Sequence, residues 1–291
     1  MVHRKPDQEL RSGDTIGGYL LQARLGAGAM GVVHRAIRRE DGLVVALKVM
    51  QPSLALDPTY QRRFAHEARL AAEIRHPHLV RVVDSGEALG RQFMAVAYVP
   101  GTSLAALIQG RGTLAVAEAI RLAEEIGSAL DALHAGGILH RDVKPPNVLI
   151  DDAGKNYLSD FGLAKGRALT ALTRPGELIG TLEYMAPEIV RGDPAQPASD
   201  VYSLGCLVYE AMVGRTPFGS KRGFQIAAAH LGEAPPDPSE YRGDLGPGIA
   251  AAVLEALRKD PSERPSGGLE YARSLRSAAD ARQEVDATGY A

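Results

Sequence analysis

The sequence contains one cysteine, no tryptophan and no long apolar run in its 291 residues. Because Cys206 has no second cysteine to pair with, an intrachain disulfide is excluded, which fits a reducing compartment such as the cytoplasm. No apolar stretch reaches the roughly 20 residues that span a bilayer, and residues 1–14 lack the apolar segment of a signal peptide. The sequence therefore predicts no membrane segment in this chain.

A net charge of one sign is also missing. Lys and Arg total 33 against 35 Asp and Glu, so we expect no general attraction to nucleic acid or to an anionic membrane. Any recognition of phosphate must be local. Apolar residues make up 45% of the chain, which allows a large buried core in one large or two small domains.

Runs with the strand period dominate the first third of the chain. Residues 18–50 predict an antiparallel meander with a turn at Asp41-Gly42. A helix is expected next, with Asp57 as its N-cap and Pro58 in its first turn. Its apolar face consists of Phe64, Ala68, Ala71 and Ile74. Two more strand patterns lead to Pro100-Gly101, where we place a hinge.

Helical patterns follow. Thr113 is the expected N-cap of a helix that ends at Gly136-Gly137. A second segment, VYSLGCLVYEAMVG, is apolar on nearly every side and predicts a buried helix. The domain boundaries that follow are a frayed tail at 1–17, a β-rich lobe at 18–98, a helical lobe at 99–277 and a polar tail at 278–291, which suits the start of a juxtamembrane linker.

A glycine pattern, GAGAMGVV, lies between two strand patterns at residues 26–33. Glycine lets a backbone approach phosphate closely, since any Cβ would collide. Between strands, the motif favours a hairpin that covers a nucleotide, and the alternative is a glycine-rich turn without a ligand. Lys48 follows on an apolar strand and needs a partner there. Glu67, near the inward side of the predicted helix, can supply it.

The densest group of chemical side chains lies between His140 and Gly162, in HRDVKPPNVLIDDAGKNYLSDFG. Together with GAGAMGVV, VALK and APE, in this order, it resembles the signature set of the eukaryotic-type protein kinases. The resemblance covers about residues 18–277 and is greatest to the bacterial receptor-like serine/threonine kinases. It implies an α+β, bilobal kinase fold with a small antiparallel lobe that carries one main helix and a larger helical lobe.

The resemblance also implies a reaction, in which the γ-phosphate of ATP passes to Ser or Thr hydroxyls of protein substrates with Mg²⁺, or Mn²⁺ in its place. Asp142 would accept the hydroxyl proton, Lys144 would contact the γ-phosphate, and Asn147 and Asp160 would hold the metal. Lys48 and Glu67 complete the catalytic set. The residues expected around ATP are Gly26, Gly28, Gly31, Val33, Val45, Ala46, Lys48, Val96, Ala97, Val99 and Leu149.

Other residues are expected to support this site. Lys144, in HRD-x-K, and Thr181, in GTLEYMAPE, resemble serine/threonine kinases, and Thr181 would hydrogen-bond Asp142 and Lys144. The resemblance implies a buried Glu188–Arg264 pair. Asp200 would hold the backbone of the catalytic loop, and His140 has a packing role.

Regulation by the activation loop is expected as well. The segment between DFG and APE carries Thr170 and Thr173, which we expect to be autophosphorylated, with Arg141 receiving the phosphate. Related bacterial kinases pair through the N-lobe, so a weak homodimer is expected. The polar residues available for this contact are Asp57, Arg62, Arg63 and Arg69.

Two positions depart from the family pattern: Ala97 stands where an acid is common, and Pro146 precedes Asn147 where Ala or Glu is usual. His76-Pro77-His78 resembles a metal-binding H-x-H, but the family often has a His-Pro turn there. The alternatives to an active kinase are a nucleotide-binding pseudokinase that acts as a scaffold, and a small-molecule phosphotransferase. Whichever of these activities the chain has, we expect a cytoplasmic domain, alone or as the intracellular part of a membrane-anchored protein.

Overall fold

The computed structural model describes residues 10–28, 31–51, 58–160 and 182–288. These residues form two compact units that divide after Pro100. The first unit contains a six-stranded sheet and a long helix, and the second is mainly helical with a three-stranded sheet. The α+β class predicted from the sequence is therefore confirmed.

The strands of the first unit form one antiparallel sheet in the order β1-β2-β3-β4-β6-β5. They are β1 (Thr15–Ile16), β2 (Tyr19–Gly28), β3 (Gly31–Arg38), β4 (Val44–Met50), β5 (Val82–Ala88) and β6 (Arg91–Ala97), and the helix is α1 (Pro58–Glu73). The meander predicted for residues 18–50 is present as β2, β3 and β4. At its second turn the Arg38 guanidinium donates to both Asp41 carboxylate oxygens, at 2.9 and 2.6 Å.

Alternation along β4 separates the core from the opposite face of the sheet. Val45, Leu47 and Val49 are buried in the core of the unit, whereas Ala46 and Lys48 are half-buried. Successive side chains of a strand point to opposite faces. The expectation that Val45 lies beside Ala46 next to the nucleotide is therefore wrong, because Val45 belongs to the core face.

The second unit contains a small antiparallel sheet in the order β7-β8-β9 and a group of helices. The strands are β7 (Gly101–Ser103), β8 (Val148–Asp151) and β9 (Asn156–Leu158). The helices are α2 (Leu104–Arg111), α3 (Val116–Ala135), α4 (Pro187–Arg191), α5 (Pro197–Val213), α6 (Phe224–Gly232), α7 (Gly246–Glu255) and α8 (Gly268–Thr288). Helix α5 is the apolar segment predicted to be buried, and most of its residues are.

Several details differ from the prediction. The N-cap of α3 is Ala115 and not Thr113, because the Ala115 N–H donates to Glu118 Oε2 at 3.0 Å and this bond fixes the first turn. Helix α8 continues to Thr288, so most of the predicted polar tail is helical. Its Ala, Arg, Gln and Glu residues are good helix formers.

Helices α3 and α8 meet through two glycines. A Cβ added to Gly127 would lie 2.5 Å from the carbonyl oxygen of Gly268, and one added to Gly268 would lie 2.4 Å from the Gly127 Cα. The Asp131 carboxylate accepts hydrogen bonds from the N–H groups of Gly268 and Leu269, at 2.7 and 3.0 Å. It therefore caps α8 and holds its first turn against α3.

Candidate active site

The segment between α3 and β8 places two polar side chains, Asn147 and Lys144, around the Asp142 carboxylate. Asn147 Nδ2 donates to the backbone oxygen and to Oδ2 of Asp142, at 2.8 and 3.0 Å. Lys144 Nζ lies 3.1 Å from Asp142 Oδ1. Each carboxylate oxygen thus has a donor that fixes its position, and the Lys144 ammonium keeps positive charge beside the carboxylate.

Asp200, in the first turn of α5, holds the backbone of the segment between α3 and β8. It is 2% exposed, and it accepts from the backbone N–H of His140 at Oδ2 and of Arg141 at Oδ1, both at 2.8 Å. Arg141 has φ 61°, a conformation that non-glycine residues adopt at a cost. The two hydrogen bonds that the buried Asp200 carboxylate accepts hold the backbone there.

His140 is fully buried and joins the loop to the chain that follows β9. Its Nδ1 lies 3.3 Å from the Asp142 N–H, and its Nε2 lies 3.0 Å from the carbonyl oxygen of Ser159. These contacts are those of a neutral ring with its proton on Nε2. Burial lowers the pKa of His140, so its place in the structure is that of a packed, uncharged side chain.

Asp160 follows Ser159, which is tied to the catalytic loop. The Ser159 N–H donates to the Asn147 carbonyl oxygen at 2.8 Å, and its hydroxyl does so at 2.9 Å. Asp160 is half-buried and has φ 61°, a second non-glycine residue in the left-handed region. The segments that carry Asn147 and Asp160 are therefore fixed to each other by hydrogen bonds.

Glu188 of α4 and Arg264 form a buried ion pair. Arg264 Nη1 and Nη2 donate to Glu188 Oε1 and Oε2, each at 2.8 Å, and Ser199 Oγ donates to Oε1 at 2.7 Å. Burial alone would raise the pKa of Glu188, but the hydrogen bonds from Arg264 and Ser199 outweigh it and the pKa is lowered. The carboxylate therefore remains ionised in the folded protein.

In the first unit the glycine motif forms the end of the β2–β3 hairpin, where Gly28 pairs with Gly31. A Cβ on Gly31 would lie 2.1 Å from the Val49 carbonyl oxygen, which requires glycine at this place. Cβ atoms on Gly26 or Gly28 would meet nothing within 4 Å in the described chain. Glycine at these two positions is therefore not required by contacts within the protein. Instead, the missing side chains leave open space beside the hairpin.

Strand pairing in the same sheet places several of the other residues expected around ATP opposite one another. Lys48 is paired with Val33 on one side and with Met94 on the other, and Ala46 is paired with Val96. The Ala97 N–H donates to the Arg81 carbonyl oxygen at 2.8 Å. Val99 follows β6 and is half-buried, as is Glu67 on α1.

Other predicted residues lie elsewhere. Leu149 is on β8 of the second unit, paired with Tyr157. Asp57, Thr170, Thr173 and Thr181, with the side chain of Arg63, lie outside the described residues. Cys206 is a buried core thiol.

The donor chemistry of the second unit suits Mg²⁺. No group of three or more His, Cys, Asp or Glu in the described residues could hold a metal ion. Mg²⁺ binds proteins through one or two oxygen ligands and takes the rest from water and substrate phosphates. Because the Asn147 amide nitrogen is directed to Asp142, its oxygen remains as an acceptor, and the Asp160 carboxylate offers a second hard oxygen donor.

A family model described as the protein kinase domain matches residues 19–277. The chain belongs to the protein kinase family. The serine/threonine-protein kinases PknE and PknD of Mycobacterium tuberculosis are 37% identical over 88% of this chain and 35% identical over 95% of it, respectively. The crystal structure of the M. tuberculosis PknI kinase domain has 30% identity and a TM-score of 0.76, covering 93% of this chain and 100% of that one.

These comparisons confirm the predicted family and the bilobal kinase fold. The chain matches only 45% of the length of PknE and 42% of that of PknD. In the part that the structure describes, no helix has the length and apolarity to cross a membrane.

Sequence reasoning missed two partners of the site. His134 Nε2, at the end of α3, lies 2.8 Å from Asp200 Oδ2, and a lone histidine on a helix gave no signal of this. The Tyr184 hydroxyl, within GTLEYMAPE, donates to Glu210 Oε2 of α5, while Ser203 Oγ donates to the Tyr184 carbonyl oxygen at 2.7 Å. These bonds fix the chain just after Thr181 to α5.

Proposed function

We propose that this domain is an active serine/threonine protein kinase that transfers the γ-phosphate of ATP to hydroxyl groups of protein substrates. The arrangement around Asp142 carries the proposal: a carboxylate held by Asn147, with Lys144 Nζ 3.1 Å away. Phosphoryl transfer requires little covalent work from the protein, and it depends on positioning and on neutralising charge. A fixed carboxylate and an adjacent cation supply both.

In this proposal Asp142 orients the acceptor hydroxyl and takes its proton, while Lys144 contacts the γ-phosphate. Asn147 and Asp160 would hold Mg²⁺, which when bound neutralises charge on the β- and γ-phosphates. Mn²⁺ can replace it because it also prefers oxygen ligands. The Arg141 and Asp160 backbones, both at φ 61°, keep the carboxylates placed before substrate arrives, which reduces reorganisation during the reaction.

The first unit would bind ATP. Gly26, Gly28 and Gly31 bring backbone N–H groups to the phosphates, and Lys48, oriented by Glu67, contacts phosphate oxygens. Val33, Ala46 and Val96 would contact adenine. Because the Ala97 N–H already donates to Arg81, adenine recognition there would use the carbonyl oxygen of Ala97 and the backbone of Val99. This explains why the absent acidic side chain at Ala97 does not exclude ATP.

The decisive experiment is transfer from radiolabelled ATP with Mg²⁺ to a mixed Ser/Thr peptide library, followed by phosphoamino-acid analysis. We expect phosphoserine and phosphothreonine but no phosphotyrosine. ATP binding without transfer would identify a pseudokinase scaffold. Transfer only to small molecules, with peptides unmodified, would identify a small-molecule phosphotransferase.

Autophosphorylation of Thr170, Thr173 or both is part of the proposal. A phosphate there would form charge-assisted hydrogen bonds with Arg141, whose side chain is exposed. Mass spectrometry should find phosphate on this segment in the wild type and none in Asp142→Asn. Phosphate persisting in Asp142→Asn, or full activity of a Thr170→Ala/Thr173→Ala double variant, would contradict it.

We also propose a weak homodimer that uses α1, where Arg62 and Arg69 are exposed. Arg69 Nη2 lies 3.4 Å from His66 Nδ1, which still leaves the guanidinium at the surface. Sedimentation velocity over a wide concentration range tests this: Arg62→Glu/Arg69→Glu should remove association, and a wild type that stays monomeric at high concentration contradicts it. A cytoplasmic setting fits the single cysteine.

A further inference from the structure

Strand β9 begins with a buried polar residue. Asn156 is its first residue and is 5% exposed, although asparagine is depleted in strands. A buried carboxamide and a buried backbone N–H both need hydrogen-bond partners. The Asn156 N–H and Nδ2 donate to the same atom, Oε2 of Glu125 on α3, at 2.9 and 2.7 Å. The two bonds together fix where β9 starts on α3 and how its first residue is turned.

A second side chain of α3 contacts the same hairpin. Arg121 Nη2 donates to the Gly154 carbonyl oxygen, in the turn between β8 and β9, at 3.3 Å. Because residues four apart lie on one face of a helix, Arg121 and Glu125 present one face of α3 to the hairpin. Arg121 is exposed and Glu125 is half-buried, and a long exposed side chain loses more rotamer freedom when it is held. Glu125 is therefore the firmer of the two contacts.

The hairpin itself is held together by Asp151. Its Oδ1 accepts from the N–H groups of Ala153 and Lys155, at 3.0 and 2.9 Å, and its Oδ2 accepts from the Tyr157 hydroxyl at 2.9 Å. These bonds close the turn and join it to β9. We therefore expect the hairpin to move as one piece, with its place on α3 set by the contacts from that helix.

The proposed metal ligands lie at the other end of this hairpin. Asn147 directly precedes β8, and Asp160 is the second residue after β9. Val148 is paired with Leu158, and the Ser159 N–H donates to the Asn147 carbonyl oxygen at 2.8 Å. Any shift of β9 along α3 is therefore passed on to both segments that carry these ligands.

We propose that Glu125 is a positioning residue for divalent metal, which through Asn156 holds the hairpin, and with it Asn147 and Asp160, at a fixed place on α3. The inference rests on the proposed function, in which Asn147 and Asp160 hold Mg²⁺. Because Mg²⁺ requires nearly ideal octahedral geometry, a small displacement of its ligands weakens binding. Groups that directly orient metal ligands change affinity by about 10- to 100-fold. Glu125 acts one step further away, so we expect a smaller effect.

The test measures metal affinity without phosphoryl transfer. The full chain is saturated with a non-hydrolysable ATP analogue, and Mn²⁺ binding is followed by loss of the electron paramagnetic resonance signal of the free ion. Glu125→Ala and Glu125→Asp both withdraw the acceptor oxygen from Asn156, so the Mn²⁺ dissociation constant should rise roughly three- to tenfold in each. Glu125→Gln keeps an acceptor oxygen at the same reach and should stay within about twofold of the wild type.

These variants separate position from charge, because Gln keeps the length of Glu without its charge and Asp keeps the charge without the length. Affinity that follows charge, with Glu125→Asp like the wild type and Glu125→Gln weakened, would overturn the proposal. Unchanged affinity in both shortened variants would overturn it too. Thermal unfolding shows whether each variant is folded, and if Glu125→Ala is not, Glu125→Asp and Glu125→Gln still decide. The matched control is Glu124→Ala, which removes the neighbouring acid paired with Arg276 and should bind Mn²⁺ like the wild type.

Hydrogen exchange, in protein without metal or nucleotide, tests the hold on the hairpin. The amides of β9 and Ser159 should exchange faster in Glu125→Ala than in Glu124→Ala, and equal exchange would refute that hold. Asp160→Asn separates the inference from the function on which it rests. Equal Mn²⁺ binding by the wild type and Asp160→Asn would show that the metal site is misassigned, and the inference would fall with it. Weakened binding in Asp160→Asn alone would overturn only the role of Glu125.

Discussion

The Arg264 guanidinium donates two parallel hydrogen bonds, each 2.8 Å long, to the Glu188 carboxylate. Neither side chain is more than 3% exposed. The remaining guanidinium hydrogens go to the carbonyl oxygens of Arg258, Ala198 and Lys259. The pair thus holds α4, the start of α5 and the loop before α8 together, at the end of the GTLEYMAPE segment.

Arg264→Ala should lower the free energy of unfolding by roughly 3–5 kcal/mol, because it leaves Glu188 charged, buried and unpaired. Urea titration measures this. The matched control is Arg276→Ala, which breaks the Arg276–Glu124 pair, also bidentate but 42% and 36% exposed. Exposed pairs contribute about 1 kcal/mol or less, so equal losses in the two variants would contradict the role of burial.

His230 should make stability pH-dependent. It is fully buried, and burial together with nearby Lys259 lowers its pKa to about 3. Below pH 6.5 the unfolded state binds a proton that the folded state excludes, so stability is complete above pH 6.5 and is lost as pH falls towards 3. The expected slope is about 1.4 kcal/mol per pH unit.

His230→Gln provides the comparison, since it removes the titrating ring but can still hydrogen-bond the Tyr202 hydroxyl, which lies 2.7 Å from Nδ1. The free energies of unfolding of the wild type and of His230→Gln should converge as pH falls from 7 to 5, because the wild type loses more stability than the variant. Parallel pH profiles would show that His230 does not titrate on unfolding.

Asp142→Asn should reduce phosphoryl transfer by roughly 10²- to 10⁴-fold, the range for loss of a general base. ATP affinity should stay nearly unchanged, because the residue serves the acceptor hydroxyl. Calorimetry and a transfer assay separate the two effects. Asp152→Asn, the same change at an exposed position after β8, should be silent. An equal loss of ATP binding in Asp142→Asn would show the role to be misassigned.

Lys48→Met should also reduce transfer severely, through loss of phosphate positioning. Lys221→Met, at the surface of the second unit, is the control and should retain activity. Near-normal transfer in Lys48→Met would count against the proposed pair with Glu67. Steady-state kinetics at saturating ATP distinguish this loss from weaker nucleotide binding.

Gly127→Ala and Gly110→Ala should change stability in opposite directions. The Gly127 substitution would force a Cβ against the Gly268 backbone, at a cost of about 1–3 kcal/mol. Gly110 lies in α2, and a Cβ there would meet nothing within 4 Å, so its change to Ala should gain up to about 1 kcal/mol from helix propensity. Thermal unfolding of both variants tests this: Gly127→Ala should be less stable than the wild type and Gly110→Ala more stable.

The sequence predicted the sheet of the first unit because its signals are local. Strand alternation and the Asp41-Gly42 turn specify β3 and β4 without reference to the rest of the chain. The same alternation, applied to each residue separately, would have placed Val45 on the core face. The error came from assigning neighbouring residues to one surface.

What the sequence did not predict depends on partners far along the chain. Helix α2 is short, although Ser103, whose Oγ accepts from the Ala106 N–H at 3.2 Å, was an available N-cap signal. Strands β8 and β9 were not predicted, because the segment from His140 to Gly162 was interpreted only for its catalytic motif. The contact of His134 with Asp200 joins residues 66 apart, and no periodicity reports such a contact.

The Asp131 cap of α8 has a consequence for synthesis. Asp131 and Gly268 are 137 residues apart, so at about 5–20 residues per second the ribosome takes roughly 7–27 s between making one and the other. During that interval α3 has been made, but the helix that covers its Gly127 surface has not. The second unit therefore cannot complete its core co-translationally until almost all of the chain described here has been made.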